Sequence, residues 1–223
     1  MKPTNDRTKE EHYQASIARF IAGRLPLTTV PFVPELQVHK AVPTSGLREL
    51  AERDPGFDTP YWAHHWGGGL ALARFVLDRP ETVAGRRVLD LGTGSGIVAI
   101  AAMLAGAGEV IAADVDPYAI EALQLNAAAN DVTVTPWFGD MTTAGAIPDV
   151  DIVLVGDLFY DKGTARRVTS FLTLCRATDI DVLIGDPRRA FLPQGLEAVA
   201  SYTVSEASGA QDADAKPSSV FRF

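Results

Sequence analysis

Residues 88–96 read VLDLGTGSG, and this stretch decides the fold. Its apolar start predicts a strand, its alternate glycines predict a tight turn, and the apolar run from Ser95 to Leu104 predicts a buried helix. A dinucleotide fingerprint requires glycines at relative positions 1, 3 and 6. The glycines here stand at 92, 94 and 96, and position 97 is isoleucine, so that fingerprint is excluded. A loop of this type suits a ligand that brings a carboxylate and an ammonium group near the turn.

Strand-like and helix-like segments alternate around this turn. Strands are predicted at RVLDLG (87–92), EVIAAD (109–114), VTVTPWFGD (132–140), DIVLVGD (151–157) and DVLIGD (181–186). Helices are predicted from Gly67 to Pro80, over Ser95–Leu104, from the Asp116-Pro117 cap to about Asn130, and over Lys162–Cys175. Continuously apolar strands that alternate with helices are typical of a parallel sheet covered on both faces.

The two ends of the chain depart from this alternation. Residues 8–23 carry an apolar stripe at helical spacing, with Thr8 and Glu11 as a capping box. Residues 25–60 contain six prolines, which predicts an extended, looping segment with one short strand between Val33 and Val42. Near the C-terminus, a short helix is predicted at Leu196–Ala200. YTVSEA (202–207) and SVFRF (219–223) then predict an antiparallel hairpin, with the last strand at the sheet edge.

Composition narrows the class of protein. The 223 residues include 47% hydrophobic and 22% charged residues, as in a globular protein. The net charge of −8 argues against a nucleic-acid partner. Cys175 is the only cysteine, so no internal disulfide forms, and the histidines show no metal-ligand spacing. The longest apolar run, Gly96–Gly108, is too short to span a bilayer, and the N-terminus is polar and contains acidic residues, unlike a targeting peptide. We expect a cytoplasmic protein without a membrane partner.

Three of the predicted strands end in the same dipeptide, at Gly139-Asp140, Gly156-Asp157 and Gly185-Asp186. Ligands of parallel α/β sheets bind beyond the carboxyl ends of the strands, so these carboxylates should share one rim. We expect the glycines to let the backbone turn sharply there. Asp114, 22 residues after Gly92, ends the second strand and suits a ribose diol, whereas Asp140 suits an adenine amine. Together with the glycine loop, these acids describe S-adenosylmethionine.

Longer segments carry a resemblance to a known family. PYWAHHWGGGLALARFVLD, VLDLGTGSGIVAIAAMLAGA, VIAADVDPYAIEALQLNAAAN, VLVGDLFYD and VLIGDPRR resemble class I S-adenosylmethionine-dependent methyltransferases. More narrowly, they resemble the lysine methyltransferases of the electron-transfer-flavoprotein beta subunit. The resemblance implies an α/β fold with a seven-stranded, mostly parallel Rossmann-like sheet, helices on both faces and the antiparallel C-terminal hairpin. From the position of the first segment ahead of the cofactor core, we expect one globular unit with an N-terminal helix and substrate-side segment (1–60) and a methyltransferase domain (61–223).

The resemblance also implies roles for particular residues. Cofactor contacts are expected from Trp66, Asp90, Gly92, Thr93, Gly94, Gly96, Asp114 and Asp140. Asp157 is expected to capture and orient the acceptor amine through a charge-assisted hydrogen bond. Tyr160 and Phe159 would form a cation–π wall for that amine. Asp186 would shape the acceptor channel, and Arg188, together with Arg189, would grip an acidic part of the partner.

The function predicted from these residues is S-adenosylmethionine-dependent lysine N-methylation of a protein, with the electron transfer flavoprotein beta subunit as substrate. Methyl transfer from a sulfonium is an in-line displacement that needs no metal, so catalysis is mainly positioning. Three alternatives stay open at this point. They are a small-molecule N-methylase acting on a nicotinamide-like amine, a ribosomal-protein methyltransferase, and a cofactor-binding module without catalysis.

Overall fold

A computed structural model describes the backbone of residues 4–205 and 215–223 and the side chains from Thr8 onward. The helices are α1 (Thr4–Arg24), α2 (Leu47–Arg53), α3 (Gly67–Asp78), α4 (Ile97–Leu104), α5 (Pro117–Ala129) and α6 (Lys162–Ala177). The strands are β1 (Leu27–Val30), β2 (Val33–His39), β3 (Arg87–Leu91), β4 (Glu109–Asp114), β5 (Thr135–Phe138), β6 (Ile152–Gly156), β7 (Asp181–Asp186), β8 (Glu197–Val204) and β9 (Lys216–Arg222). The loop predicted between the last two strands lies largely outside the described residues.

Seven of the described strands form one sheet in the order β5-β4-β3-β6-β7-β9-β8. The first five in that order run parallel, and β9 is antiparallel to both of its neighbours. Apolar cores lie on both faces, one around α3 and α4 and the other around α6. The predicted fold class, including the C-terminal hairpin, is therefore confirmed.

The C-terminal strands correct two predictions. Residues 197–204 form strand β8, where a short helix was predicted at Leu196–Ala200, because the segment pairs along its length with β9. Strand β9 was predicted as the edge but lies between β7 and β8, and this position buries Ser219, Val220 and Phe221. The edge strand is β8, whose side chains are mostly exposed or half-buried. The fifth strand is also shorter than the predicted 132–140.

The N-terminal segment is more regular than its prolines predicted. Strands β1 and β2 form a separate antiparallel hairpin, and α1 begins at Thr4, so Thr8 does not cap it. Ile17 and Ile21 of α1 are buried against α5 and the turn at residues 61–63. The carboxylate of Asp54 joins these parts, because its Oδ2 accepts hydrogen bonds from the phenols of Tyr13 (2.9 Å) and Tyr118 (2.6 Å).

Close backbone contacts set the position of α3. A Cβ atom at Gly185 would lie 2.1 Å from the carbonyl oxygen of Gly68, and one at Gly68 would lie 2.2 Å from the carbonyl oxygen of Gly185. Gly156 meets Gly69 in the same way, with 3.1 Å from its Cβ position to the Gly69 Cα. The first turn of α3 thus rests directly on the ends of β6 and β7. This packing brings the N-terminus of α3 to the rim where the strands end.

Candidate active site

A cavity of about 720 Å³ opens at the carboxyl ends of the parallel strands. One wall is built from the residues that follow β3, β4, β5 and β6. The opposite wall comes from residues 56–66, and it includes Asp58, Tyr61 and Trp66. The volume falls within the usual range for small-molecule sites, roughly 300–1,000 Å³. The rim predicted from the strand endings is therefore one concave site.

The glycine loop forms the floor of this cavity. Gly92 (φ 70°) and Gly94 (φ 54°) both line the cavity and adopt left-handed backbone conformations that favour glycine. A Cβ atom at Gly92 would also lie 2.5 Å from the Leu158 side chain. The loops after β3 and β6 therefore interlock, and the absence of a side chain at Gly92 makes this possible.

Three residues predicted as cofactor contacts lie behind the loop and do not line the cavity. Asp90 is buried, and its Oδ2 accepts hydrogen bonds from the Thr93 hydroxyl (2.6 Å) and the Ala99 N–H (3.1 Å). Burial raises the pKa of Asp90 to about 7. Gly96 (φ 85°) begins α4, and a Cβ there would lie 2.6 Å from Leu123. Asp90, Thr93 and Gly96 thus stabilise the loop from the side that faces away from the cavity.

Two predicted carboxylates do line the cavity. The Oδ2 atom of Asp114 accepts the Gly94 N–H (2.8 Å), and its Oδ1 atom accepts the Asp116 N–H (3.0 Å). Burial raises the pKa of Asp114, and these N–H groups oppose the shift. Asp140 accepts hydrogen bonds from the Thr142 N–H and hydroxyl. Both acids are therefore fixed by local backbone before any ligand binds.

Replacement of Asp114 by asparagine should weaken binding of S-adenosylmethionine by about 10- to 100-fold, since a hydrogen bond to a charged group contributes roughly 1.5–3 kcal/mol. The amide retains one oxygen but loses the charge and one acceptor. Isothermal titration of the purified protein measures the change. Asp131→Asn is the matched control, because Asp131 is exposed at the end of α5, outside the cavity. Equal affinities for the two variants would rule out a cofactor role for Asp114.

Asp157 stands at the centre of the rim. It has φ 58°, is 8% exposed and lines the cavity. Its Oδ2 accepts the Gly69 N–H from the first turn of α3 (2.7 Å), and its Oδ1 pairs with Arg189 (2.6 Å). Burial raises the pKa of Asp157 to about 6, although Arg189 and the Gly69 N–H oppose the shift. Asp157 is therefore ionised at neutral pH yet more basic than an ordinary carboxylate.

An aromatic cluster faces the same cavity. The Tyr160 ring, 46% exposed, lies 5.5 Å from the ring of Tyr61. The Tyr61 ring lies 5.8 Å from that of Trp66, whose indole N–H donates to the Tyr61 carbonyl (2.8 Å). These rings provide apolar and π surface for a ligand that enters the cavity.

The structure places three predicted substrate residues away from the cavity. Phe159 is fully buried in the core beside α6. Asp186 is also fully buried, where its Oδ1 accepts the Arg189 N–H (2.6 Å). Arg188 (φ 67°) turns its guanidinium over the Phe221 ring at 4.9 Å. None of the three lines this cavity, but Arg188 is exposed, so its contact with an acidic part of the partner stays a prediction.

Among the residues that line the cavity, Arg189 was predicted only as a contact to an acidic part of the partner, and Tyr61 had no predicted role. Arg189 lines the cavity beside Asp157, and Tyr61 pairs with Tyr160. The consecutive arginines after Gly-Asp-Pro were a signal for Arg189, but spacing alone could not choose between them. Tyr61 lies in the segment PYWAHHW, which carried the resemblance without a role for its first aromatic residue.

Within residues 4–205 and 215–223, no helix is both long enough and apolar enough to cross a membrane. In that same part of the chain, no cluster of three or more acidic, histidine or cysteine side chains could bind a metal ion.

Comparison with known proteins identifies the chain's relatives. The family model for ribosomal protein L11 methyltransferase (PrmA) matches residues 71–154. The electron transfer flavoprotein beta subunit lysine methyltransferase of Xenopus laevis is 35% identical over 211 residues, which cover 92% of this chain and 85% of that protein. The protein of the same name from Danio rerio is 43% identical over 159 residues, and the match spans 70% of this chain and 61% of that protein.

A solved structure supports the same fold. The magnesium protoporphyrin IX methyltransferase of Synechocystis PCC 6803, with bound S-adenosylmethionine, aligns with a TM-score of 0.50 at 18% identity. The alignment covers 70% of this chain and 80% of that chain. At this identity the likeness shows the fold alone.

The sheet order, the glycine loop and the acidic rim define a class I S-adenosylmethionine-dependent methyltransferase. Within that class, the similarity to the Xenopus laevis protein extends over most of both chains. The chain belongs to the electron transfer flavoprotein beta subunit lysine methyltransferase family.

The residues present fit this cofactor. Gly94 leaves open space above the loop, since a Cβ there would meet only the Trp62 backbone, at 3.7 Å. Asp114 and Asp140 stand at the ends of neighbouring strands, at the places expected for ribose and adenine. These residues would hold S-adenosylmethionine, which supplies an electrophilic methyl group when bound.

Proposed function

We propose that the protein methylates the side-chain amine of a lysine in another protein, and that the acceptor is the electron transfer flavoprotein beta subunit. The observation that carries this proposal is the placement of Asp157. A buried carboxylate with a raised pKa lies at the cavity wall, next to an aromatic cluster and one loop away from the glycine turn. That combination suits a cationic amine that must be oriented and then lose a proton.

The chain's own residues suffice for that chemistry. A lysine amine has a reference pKa of about 10.4, so it arrives protonated and must become neutral before it attacks. Asp157 would accept a hydrogen bond from the ammonium and orient its nitrogen. Because the pKa of Asp157 is raised to about 6, its carboxylate would also take up the proton more readily than an exposed one. Tyr160 and Tyr61 would flank the side chain and exclude water.

The choice of acceptor rests on the relatives. Proteins named for lysine methylation of the electron transfer flavoprotein beta subunit, from vertebrates and from Caenorhabditis elegans, match 70–92% of this chain. The acidic net charge of −8 disfavours a nucleic-acid acceptor. The single cysteine suits a reducing compartment, so the proposal includes a cytoplasmic location.

A ribosomal-protein acceptor is the second candidate. The matching ribosomal protein L11 methyltransferase of Pelobacter propionicus is 48% identical over 93 residues, 42% of this chain. The family-model match at 71–154 ends before Asp157 and omits residues 56–66. The region matched by the family model therefore contains the predicted cofactor residues Gly92, Asp114 and Asp140 but lacks most of the acceptor side of the cavity.

Transfer of a labelled methyl group tests the acceptor. Purified protein, labelled S-adenosylmethionine and purified electron transfer flavoprotein should give label in a lysine peptide of the beta subunit. Beta subunit with chemically acetylated lysines is the control and should take up no label. Labelling of ribosomal protein L11, or of a nicotinamide-like amine, with none in the beta subunit, would overturn the proposed acceptor. Saturable cofactor binding without transfer to anything in a whole-cell lysate would indicate a binding module.

A further inference from the structure

Arg189 lies between two buried carboxylates. Its Nη2 atom is 2.6 Å from Asp157 Oδ1, and its Nε atom is 3.7 Å from Asp186 Oδ2. Its backbone N–H also donates to Asp186 Oδ1 (2.6 Å). Asp157 is 8% exposed, Asp186 is fully buried, and the Arg189 side chain is 25% exposed. The guanidinium thus hydrogen-bonds Asp157 and lies within ion-pair distance of Asp186.

This arrangement holds Arg189 in place. If the guanidinium swung into solvent, two buried carboxylates would lose their cation, and an uncompensated buried charge is strongly destabilising. The side chain also has a second support, since its Cζ lies 5.8 Å from the centre of the Trp66 ring. We therefore expect Arg189 to keep its position when an acceptor enters.

Arg189 resolves a conflict in the chemistry of the site. An unpaired carboxylate beside the acceptor would raise the pKa of the amine and keep it protonated, whereas the reaction needs a neutral amine. An isolated buried carboxylate would also become protonated itself and stop accepting a hydrogen bond. A guanidinium on one oxygen of Asp157 counters both effects and leaves the carboxylate ionised.

We infer that Arg189 is a positioning residue for methyl transfer, anchored by Asp186, which keeps the Asp157 carboxylate charged and aimed at the acceptor amine. The inference rests on the proposed function, because it assigns Asp157 to the acceptor. It gives Asp186 a role through Arg189 instead of contact with the substrate. It also explains why a buried carboxylate with no route to the ligand stands at the end of β7.

A thermal-unfolding cycle tests the contact without any substrate. Arg189→Gln should lower the Tm by at least about 5 °C, since breaking a buried charge pair is costly. In Asp157→Asn/Arg189→Gln the loss should be clearly smaller than the sum of the two single losses. Arg222→Gln is the control, because Arg222 pairs with Glu197 (2.8 Å) at the surface, and it should lower the Tm by no more than about 4 °C. Additive losses in the cycle would overturn the inference.

The pH dependence of kcat/KM tests whether Arg189 keeps Asp157 ionised during methyl transfer. The ionisable groups that act directly on Asp157 are Arg189 and Asp186, both at the end of β7. Tyr160 and Asp114 are titratable groups of the same cavity, and α3 contributes only the Gly69 N–H. Loss of Arg189 removes the group that lowers the pKa of Asp157, so that pKa should rise from about 6. The acid limb of kcat/KM should then move to higher pH by about 1–3 units in Arg189→Gln.

Arg189→Lys should bring the acid limb most of the way back to its wild-type position, because lysine supplies the positive charge without the planar guanidinium. Arg222→Gln should show the wild-type pH profile. A merely structural role would lower kcat/KM equally at every pH, and that result would overturn the inference. If the wild-type protein labels no beta subunit, the proposed acceptor fails. The unfolding cycle still decides whether Arg189 holds Asp157.

Discussion

Asp157→Asn is expected to slow methyl transfer at least ~100-fold, the lower end of the contribution of a positioned acid or base. Asparagine keeps the shape and can still accept the Gly69 N–H, but it has no charge to hold an ammonium and cannot accept its proton. Cofactor affinity should stay within about threefold, because the glycine loop, Asp114 and Asp140 are untouched. Rates with labelled cofactor and Kd values from titration separate the two effects.

Asp161→Asn provides the control for this experiment. Asp161 lies four residues further along the chain and caps α6, where its carboxylate accepts the N–H groups of Gly163 and Thr164. Asparagine caps helices about as well as aspartate, so rate and stability should change little. If Asp157→Asn turned over like Asp161→Asn, the acceptor site would have to lie elsewhere.

Gly185→Ala is expected to lower the free energy of unfolding by about 3 kcal/mol or more. The added methyl group would lie 2.1 Å from the Gly68 carbonyl oxygen and 2.8 Å from the Leu72 Cβ, and neither atom belongs to the flexible end of a side chain. Either α3 must move away from β7 or the end of the strand must distort. Both movements also shift the Gly69 N–H from Asp157, so transfer should fall together with stability.

Thermal unfolding measures this effect, with an expected fall in Tm of about 6–12 °C for a chain of this length. Gly23→Ala is the matched control. Gly23 lies in the last turn of α1, and a Cβ there meets nothing within 4 Å. Because alanine favours helix over glycine, this variant should be neutral or slightly more stable. Equal Tm values for the two variants would contradict the close packing.

Local chemistry in the sequence predicted much of the fold. The glycine turn at 92–96 and the Asp116-Pro117 start of α5 use residues whose backbone preferences have few alternatives, and both occur where predicted. The helix predicted near Leu196 failed because pairing with β9, distant in sequence, outweighs local preference.

The site was predicted less completely, and two backbone torsions explain why. Asp157 and Arg188 both adopt left-handed conformations, with φ values of 58° and 67°. The alternating side-chain directions of a strand do not predict which way the side chains point after such a residue. Phe159 therefore turns into the core, and of the two consecutive arginines only Arg189 lines the cavity. Arginine gives no sequence signal for this conformation, and aspartate, although enriched in it, gives a weaker signal than glycine.

Two of the three glycines in the Gly-Asp endings have a different role from the predicted one, whereas Gly139 does have a positive φ of 139°. All three were expected to let the backbone turn. At Gly156 and Gly185 no left-handed conformation occurs, and the absent side chain instead admits the first turn of α3. Sequence spacing does not show which segment, distant along the chain, will approach a strand end.

The two walls of the cavity differ in how far they can be redesigned. The strand-end wall is tied to backbone contacts at Gly68 and Gly185, so substitutions there disturb the whole sheet. The other wall, residues 56–66, begins just after Asp54 and includes the turn at 61–63. Its residues Asp58, Thr59 and Tyr61 are exposed. Exposed substitutions usually change stability by no more than about 0.5 kcal/mol. An engineer seeking a methyltransferase for a different target protein should therefore randomise this short span and leave the strand ends intact.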